Sequence, residues 1–299
     1  MRIVRDHVRV GVPATSANLG PAFDAMGLAL ALRDTVEVHA TTGATEVEVT
    51  GHGAGLLPTG EEHLVVRALR AGLEQAGAPQ AGVRLRCHNR IPHGRGLGSS
   101  AAAVVAGLLA ARGLLADPDV LDEAAVLAIA TRFEGHPDNA APALLGGATI
   151  AWLEDATPRA VRVPVAPSLD PAVLVPAARL ATVTARAVLP PRVPHADAAY
   201  NAGRAALLVV ALGDRPDLLL PATDDRLHQP YRRDVLPQSV EVVATLRESG
   251  ASAVISGAGP SVLVLDGLRA DDEEDLEAAG WKVLRPGVDR RGATLIVGE

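Results

Sequence analysis

The chain has 299 residues, 48% apolar and 21% charged, with a formal charge of −7. That length allows roughly two domains at about 100–200 residues each. The acidic balance and an aromatic content of 2% leave neither a basic footprint nor stacking platforms for a nucleic acid. Cys87 is the single cysteine, which excludes an internal disulfide and any metal site built from several thiolates, and points to a reducing, cytoplasmic setting. The opening MRIVRDHVRVGVP carries charges at positions 2, 5, 6 and 9 and has no leader-like apolar core. No later run reaches the ~18 apolar residues of a membrane span, so no membrane partner is expected. Lys282 is the sole lysine, and no Gly-Lys-Ser/Thr phosphate loop of the Walker type exists.

In chain order, Val8–Val12, Thr35–His39, Glu46–Val49 and Val83–Cys87 alternate with period two and read as half-buried strands of a largely antiparallel sheet. Helices are predicted over 61–75, 99–115 and 121–134, the last stopped by Gly135 and Pro137. Strands at 148–152 and 161–165 close this half, and the Pro-rich stretch 166–171 is the expected domain boundary, giving domains 1–165 and 166–299. Beyond it come a strand at 172–176, helices at 195–212 and 238–248, strands at 253–255 and 262–265, a helix at 271–279, and strands near Lys282 and at 293–297. Without regular βαβ alternation this order predicts an α+β fold. The acidic string 271–275 reads as a solvated first helical turn.

Four stretches carry chemistry. In Ile91-Pro-His-Gly-Arg-Gly-Leu-Gly-Ser-Ser-Ala101, three glycines precede a helix start, where unpaired amides and the positive dipole end favour an anion such as phosphate. On this reading the glycines clear a path for the ligand, so valine at 96 would weaken phosphate binding and leave the fold largely intact. A Gly-rich turn with a serine cap explains the same string without a ligand. Glu134 falls at a helix C-terminus, where the dipole repels a carboxylate. A cation reverses that cost, and Mg²⁺ suits a Glu134 carboxylate with a Ser100 hydroxyl; a solvent-exposed terminal glutamate before a Pro-Asp turn, with His136 on a surface loop, explains the same residues equally well. Val12-Pro-Ala-Thr-Ser-Ala-Asn-Leu-Gly-Pro-Ala-Phe-Asp24 runs a strand into a polar loop, in which Asn18 and Asp24 serve a small polar substrate or an ordinary turn. Ser256-Gly-Ala-Gly-Pro-Ser261 reads as a hairpin turn.

Together these stretches resemble the GHMP kinases, and within them the homoserine kinase branch. The resemblance rests on VPATSANLGPAFD at 12–24, FEGHPDNAAPALLGG at 133–147, TARAVLP at 184–190 and DRLHQPYR at 225–232, in order along nearly the whole chain. It implies an N-terminal ATP-binding domain, a ferredoxin-like C-terminal α+β domain, and ATP with its acceptor in the cleft between them. The implied reaction phosphorylates the side-chain hydroxyl of L-homoserine on the route to threonine. By motif position Ile91, Pro92, His93, Gly94, Arg95, Gly96, Leu97, Gly98, Ser99, Ser100 and Ala101 form the ATP loop, and Ser100 and Glu134 hold Mg²⁺. Asn18, Asp24, His136, Asp138 and Asn139 face the amino acid, Arg186 and Arg232 take its carboxylate, and Asn139, Ser100 and Glu134 are the catalytic set. A homodimer is usual among such kinases. Ala22 stands where glycine is usual, and His63 where an asparagine commonly lies near the adenine. The competing readings are a GHMP kinase for another small alcohol, such as mevalonate or a sugar, and a ligand-sensing relative without turnover.

Overall fold

The computed structural model describes residues 1–297. The first half runs β1 (His7–Ala17), β2 (Met26–Thr41), β3 (Glu46–Gly51), α1 (Leu64–Gln75), β4 (Gly82–Asn89), α2 (Ser99–Leu114), α3 (Glu123–Glu134), α4 (Ala140–Leu145), β5 (Ala148–Glu154) and β6 (Thr157–Val163). The second runs β7 (Ala172–Val175), α5 (Thr182–Ala187), α6 (His195–Gly213), α7 (Leu219–Ala222), α8 (Pro237–Glu248), β8 (Ala253–Ile255), β9 (Val262–Val264), α9 (Ala270–Ala278), β10 (Lys282–Leu284) and β11 (Thr294–Val297).

The larger sheet has the order β11-β1-β2-β4-β3, with β5 on the start of β2 and β6 outside β5. Its pairs are antiparallel except β3 with β4. The alternation seen in sequence has a structural cause. Val8, Val10, Val36, Val38, Val83 and Leu85 enter the main core, while Arg9–Glu37, Arg84–Glu46 and Arg86–Glu48 pair across neighbouring strands on the open face. β2 is far longer than the expected 35–39 because its first half, Met26 to Leu30, is buried throughout and shows no alternation. α2 is buried at twelve positions, so its Ala/Val/Leu run is a core helix rather than an amphipathic one.

The smaller sheet has the order β10-β7-β9-β8, all antiparallel. With α8 between β7 and β8 and α9 between β9 and β10, this is the expected ferredoxin-like arrangement. Both of its faces are covered. Ala172, Leu174, Val262 and Val264 pack with Leu246 of α8 and Leu276 of α9. Val173, Val175, Val254 and Leu263 join the main core with Leu208 and Leu212 of α6. One continuous core therefore joins the two sheets, and the domains are fixed against each other by apolar packing.

One expectation needs correcting. A chain cut at 165/166 assigns Thr294–Val297 to the second domain, yet β11 pairs with β1 in the first sheet. The second domain is thus inserted ahead of the last strand of the first. Among the described residues no helix is long and apolar enough to cross a membrane.

Candidate active site

The glycine loop links β4 to α2 and is held at both ends. The Asp34 carboxylate accepts from the amides of Arg90 (2.6 Å) and Ile91 (2.9 Å), and burial raises its pKa to about 6. Further along, the Arg95 guanidinium donates to the carbonyls of Pro176, Ala177 and His93, tying the loop to the end of β7. Gly96 and Gly98 sit at φ 69° and 66°. A Cβ on Gly96 would lie 2.1 Å from the Ser256 carbonyl oxygen, and one on Gly98 would lie 1.9 Å from Thr15 Oγ1. These two glycines are required by the approach of the protein's own backbone and side chains as much as by a ligand. The expectation that valine at 96 spares the fold is therefore overturned. Gly98 is the N-cap of α2, so no side-chain oxygen covers the first-turn amides, and the anion-binding end of the helix stays open at Ser99 and Ser100.

Across the cleft, Ser100 Oγ donates to Glu134 Oε1 at 2.6 Å. Burial raises the Glu134 pKa, as expected of a carboxylate at the end of α3. A half-buried carboxylate beside a hydroxyl is a hard-oxygen donor set that fits Mg²⁺. His136 Nδ1 contacts the buried Asp138 carboxylate, whose hydrogen bond holds the imidazole pKa above its usual value. Thr15 Oγ1 donates to Asn139 Oδ1 at 2.8 Å and fixes that amide.

The amino-acid residues expected from the motifs come together, with one difference in role. Asn18 donates to the Gly257 carbonyl (3.0 Å) and accepts from the Asp24 amide (3.0 Å), so both ends of its side chain hold loops. Asp24 and Arg186, 162 positions apart, form a two-pronged pair at 3.0 and 2.5 Å. Atoms of Asp24, His136 and Asp138 lie within 4.8 Å of one another. Arg232 is 1% exposed, donates to the Gly257 carbonyl at 2.7 Å, and leaves Nε without a partner among the described residues. Burial, reinforced by the Arg186 charge, lowers its pKa to about 10, still cationic at neutral pH. Ala22 is buried and lies outside the left-handed region, so alanine fits there without strain.

Sequence reading missed the residues that place Arg232. Asp225 accepts from the amides of Leu227, His228 and Gln229 and from the Asn201 side chain (2.8 Å). Gln229 Oε1 accepts from the Ile255 amide at 2.6 Å, and His228 Nε2 meets the Gly20 carbonyl at 2.8 Å. Their signal was the motif at 225–232 itself, read for its arginine alone. Likewise Ser256, read as part of a hairpin, bridges domains: its hydroxyl lies 2.8 Å from Ser16 Oγ and 2.7 Å from the Gly96 carbonyl.

These groups surround a cleft of about 550 Å³, lined by Gly94 to Ser100, Glu134, His136, Asp138, Asn139, Arg186, Arg232 and Gly257 among others. A smaller, largely apolar chamber of about 260 Å³ adjoins it through Ser99 and Ser100 and includes His63 and His93. Ile91, Pro92 and Ala101 of the expected loop set are buried and line neither space.

Two family models match this chain, "GHMP kinases N terminal domain" over residues 63–147 and "GHMP kinases C terminal" over 208–285. A homoserine kinase of Streptomyces coelicolor is 52% identical over 291 residues, covering 97% of this chain and 94% of its own. The chain belongs to the homoserine kinase family of GHMP kinases. A homoserine kinase of Mycolicibacterium smegmatis is 50% identical, covering 91% and 90%. The crystal structure of homoserine kinase from Cytophaga hutchinsonii superposes with a TM-score of 0.84 at 27% identity, covering 98% of each chain. L. major mevalonate kinase in complex with R-mevalonate shares the fold alone, at TM-score 0.69 and 15% identity.

Proposed function

We propose that this protein transfers the γ-phosphoryl group of ATP to the side-chain hydroxyl of L-homoserine, giving O-phospho-L-homoserine. The observation that carries the substrate is Arg232: a buried cation with a free Nε, on the same cleft wall as Arg186 and lacking a carboxylate partner among the described residues. Guanidinium groups in such a place suit a substrate carboxylate. Asp24 and Asp138 supply negative charge nearby for an ammonium group. The relatives named homoserine kinase at 50–52% identity support the same reading.

The glycine-loop and α2 amides bind the phosphates and place the γ-phosphoryl group. Ser100 and Glu134 are the residues that would hold Mg²⁺, whose charge screens the phosphate oxygens. His136, whose imidazole pKa is raised by its hydrogen bond to Asp138, lines the cleft, and Asn139, oriented by Thr15, presents its amide to the acceptor. Phosphoryl transfer runs through a loose transition state, so alignment and electrostatics carry the rate and no strong base is needed.

A coupled phosphotransfer assay across homoserine, homoserinol, mevalonate and galactose tests this. Homoserine should be turned over and homoserinol, lacking the carboxylate, only poorly. Arg232→Ala should raise the homoserine KM by the equivalent of about 2–5 kcal/mol, with ATP affinity nearly unchanged and little further loss on homoserinol. Turnover of mevalonate or galactose with homoserine ignored overturns the substrate assignment.

A further inference from the structure

The open face of the larger sheet holds a recess that the reaction does not use. Register places Thr294 of β11, Gly11 of β1, Thr35 of β2 and His88 of β4 side by side, one from each strand. They lie on the face away from the core, because their neighbours Leu295, Val10, Val36 and Cys87 pack into it. Glycine within that row leaves a gap between two hydroxyls, where a ligand can approach the backbone closely. Arg9, Arg33, Arg90 and Ile296 complete the recess, which has a volume of about 600 Å³. No carboxylate lines it among the described residues, in a chain whose formal charge is −7.

The three guanidinium groups are held differently. Arg33 is fixed: it pairs with Asp289 and donates to the carbonyls of Gly11 (2.7 Å) and Gly292 (2.8 Å) and to Thr294 Oγ1 (3.1 Å). Its Nε lies 3.5 Å from where a Cβ on Gly11 would stand, so it borders the gap. Arg90 is exposed and has no ion-pair partner among the described residues. Arg9 faces Glu37 at 3.6 Å with both side chains partly solvated, a weak pairing that leaves its fork available. His88 Nδ1 meets Thr50 Oγ1 at 3.1 Å, which leaves Nε2 as its second polar atom.

We infer that this recess is an anion site for a phosphate group, free or carried as a monoester. Donors stand on both sides of Gly11 at Thr294 and Thr35, along its strand at Arg9, and beyond β4 at Arg90. A tetrahedral phosphate accepts from several directions at once, whereas a planar carboxylate meets one guanidinium fork in its own plane. Thr294 Oγ1 has only the Gly11 carbonyl, at 3.4 Å, for its own proton, and a phosphate oxygen replaces that long bond. The helices α1 and α2 pack on the other face of the sheet, so the recess is separate from the cleft and the inference stands apart from the kinase reading.

The test is a titration of the full chain with inorganic phosphate at constant ionic strength, followed in residue-specific ¹H–¹⁵N spectra. Signals of Thr35, His88 and Thr294 should move along one saturable curve, fitted separately from Ser99 and Ser100 at the cleft. Arg90→Glu should weaken the open-face curve by at least about tenfold, and Thr35→Val, which keeps the shape and removes the hydroxyl, by about threefold to tenfold. The Ser99 and Ser100 curve should stay where it was in both variants, and thermal midpoints in phosphate-free buffer check that both fold. Succinate should bind the open face more weakly than phosphate. Glycerol 3-phosphate separates the two sources: binding tighter than inorganic phosphate assigns the recess to a monoester, and weaker binding assigns it to the free ion. A linear or absent response at Thr35, His88 and Thr294, an open-face curve unchanged by either substitution, or succinate bound as tightly as phosphate overturns the inference.

Discussion

Glu134 ends α3 against the negative pole of its own helix, half-buried, with Ser100 as its hydrogen-bond donor. That placement is unfavourable for a carboxylate unless a cation joins it. Glu134→Gln should therefore abolish most turnover while leaving the thermal midpoint of the metal-free protein equal or slightly higher. Full activity in the variant would remove Glu134 from the metal site. At this scale the sequence made the Ser100–Glu134 pair readable, because the two residues belong to motifs with separate local signals. It did not make the Asp24–Arg186 pair readable, nor the bonds of Asn18 to Gly257, since those partners meet only through the tertiary fold. His63 was visible as an odd residue, but its lack of partners is a property of burial, which one sequence does not reveal.

Elements were legible where their pattern was local. β3, β4 and the long helices α2, α3 and α6 stand within one or two residues of expectation, while β1 and β2 run on beyond their alternating parts into fully buried stretches. α4 escaped notice because Pro142 lies inside it, tolerated in the first turn where its missing N–H has no intrahelical partner. α5 escaped because it is six residues long and mostly exposed, leaving no apolar face to detect. The glycine loop was recognised for one reason and is built for two. Gly96→Ala should demonstrate the second: a left-handed alanine costs about 1–2 kcal/mol, and its Cβ meets the Ser256 carbonyl at 2.1 Å. Its thermal midpoint should drop by at least about 2 °C and ATP should bind more weakly. A wild-type midpoint would show that the loop and the 256–261 turn can part freely. The 225–232 motif makes a prediction in pH. Burial holds His228 down to about 4, against the pull of Asp225, while an unfolded histidine titrates near 6.5. The unfolded chain thus binds the extra proton first as pH falls, and stability should be lost between about pH 6.5 and pH 4. In His228→Gln, which keeps a donor toward Gly20 without titrating, that loss should be shallower in thermal melts across the window. Parallel curves for the two proteins would place the acid sensitivity elsewhere.

At the scale of the molecule, the α+β class followed from element order and the ferredoxin-like second domain from the family resemblance, but the path of the final strand followed from neither. A four-residue strand has too little pattern to name its partner, and β11 lies closer in sequence to the second domain than to β1. Removing the residues after Gly292 should uncover the β1 edge and strip Leu295 from the core margin. The shortened chain should melt at lower temperature and associate through that open edge, as read by size-exclusion chromatography. An unshifted melt and elution would make β11 dispensable. The same pairing sets an order of events during synthesis. The ribosome translates the whole inserted domain before it makes the strand that closes the first sheet, while the glycine loop and the turn at 256–261 wait for each other across 160 residues. A nascent chain halted anywhere in the second domain therefore carries a nucleotide-binding half with an unfinished edge and an unassembled substrate pocket, exposed to chaperones and unable to spend ATP.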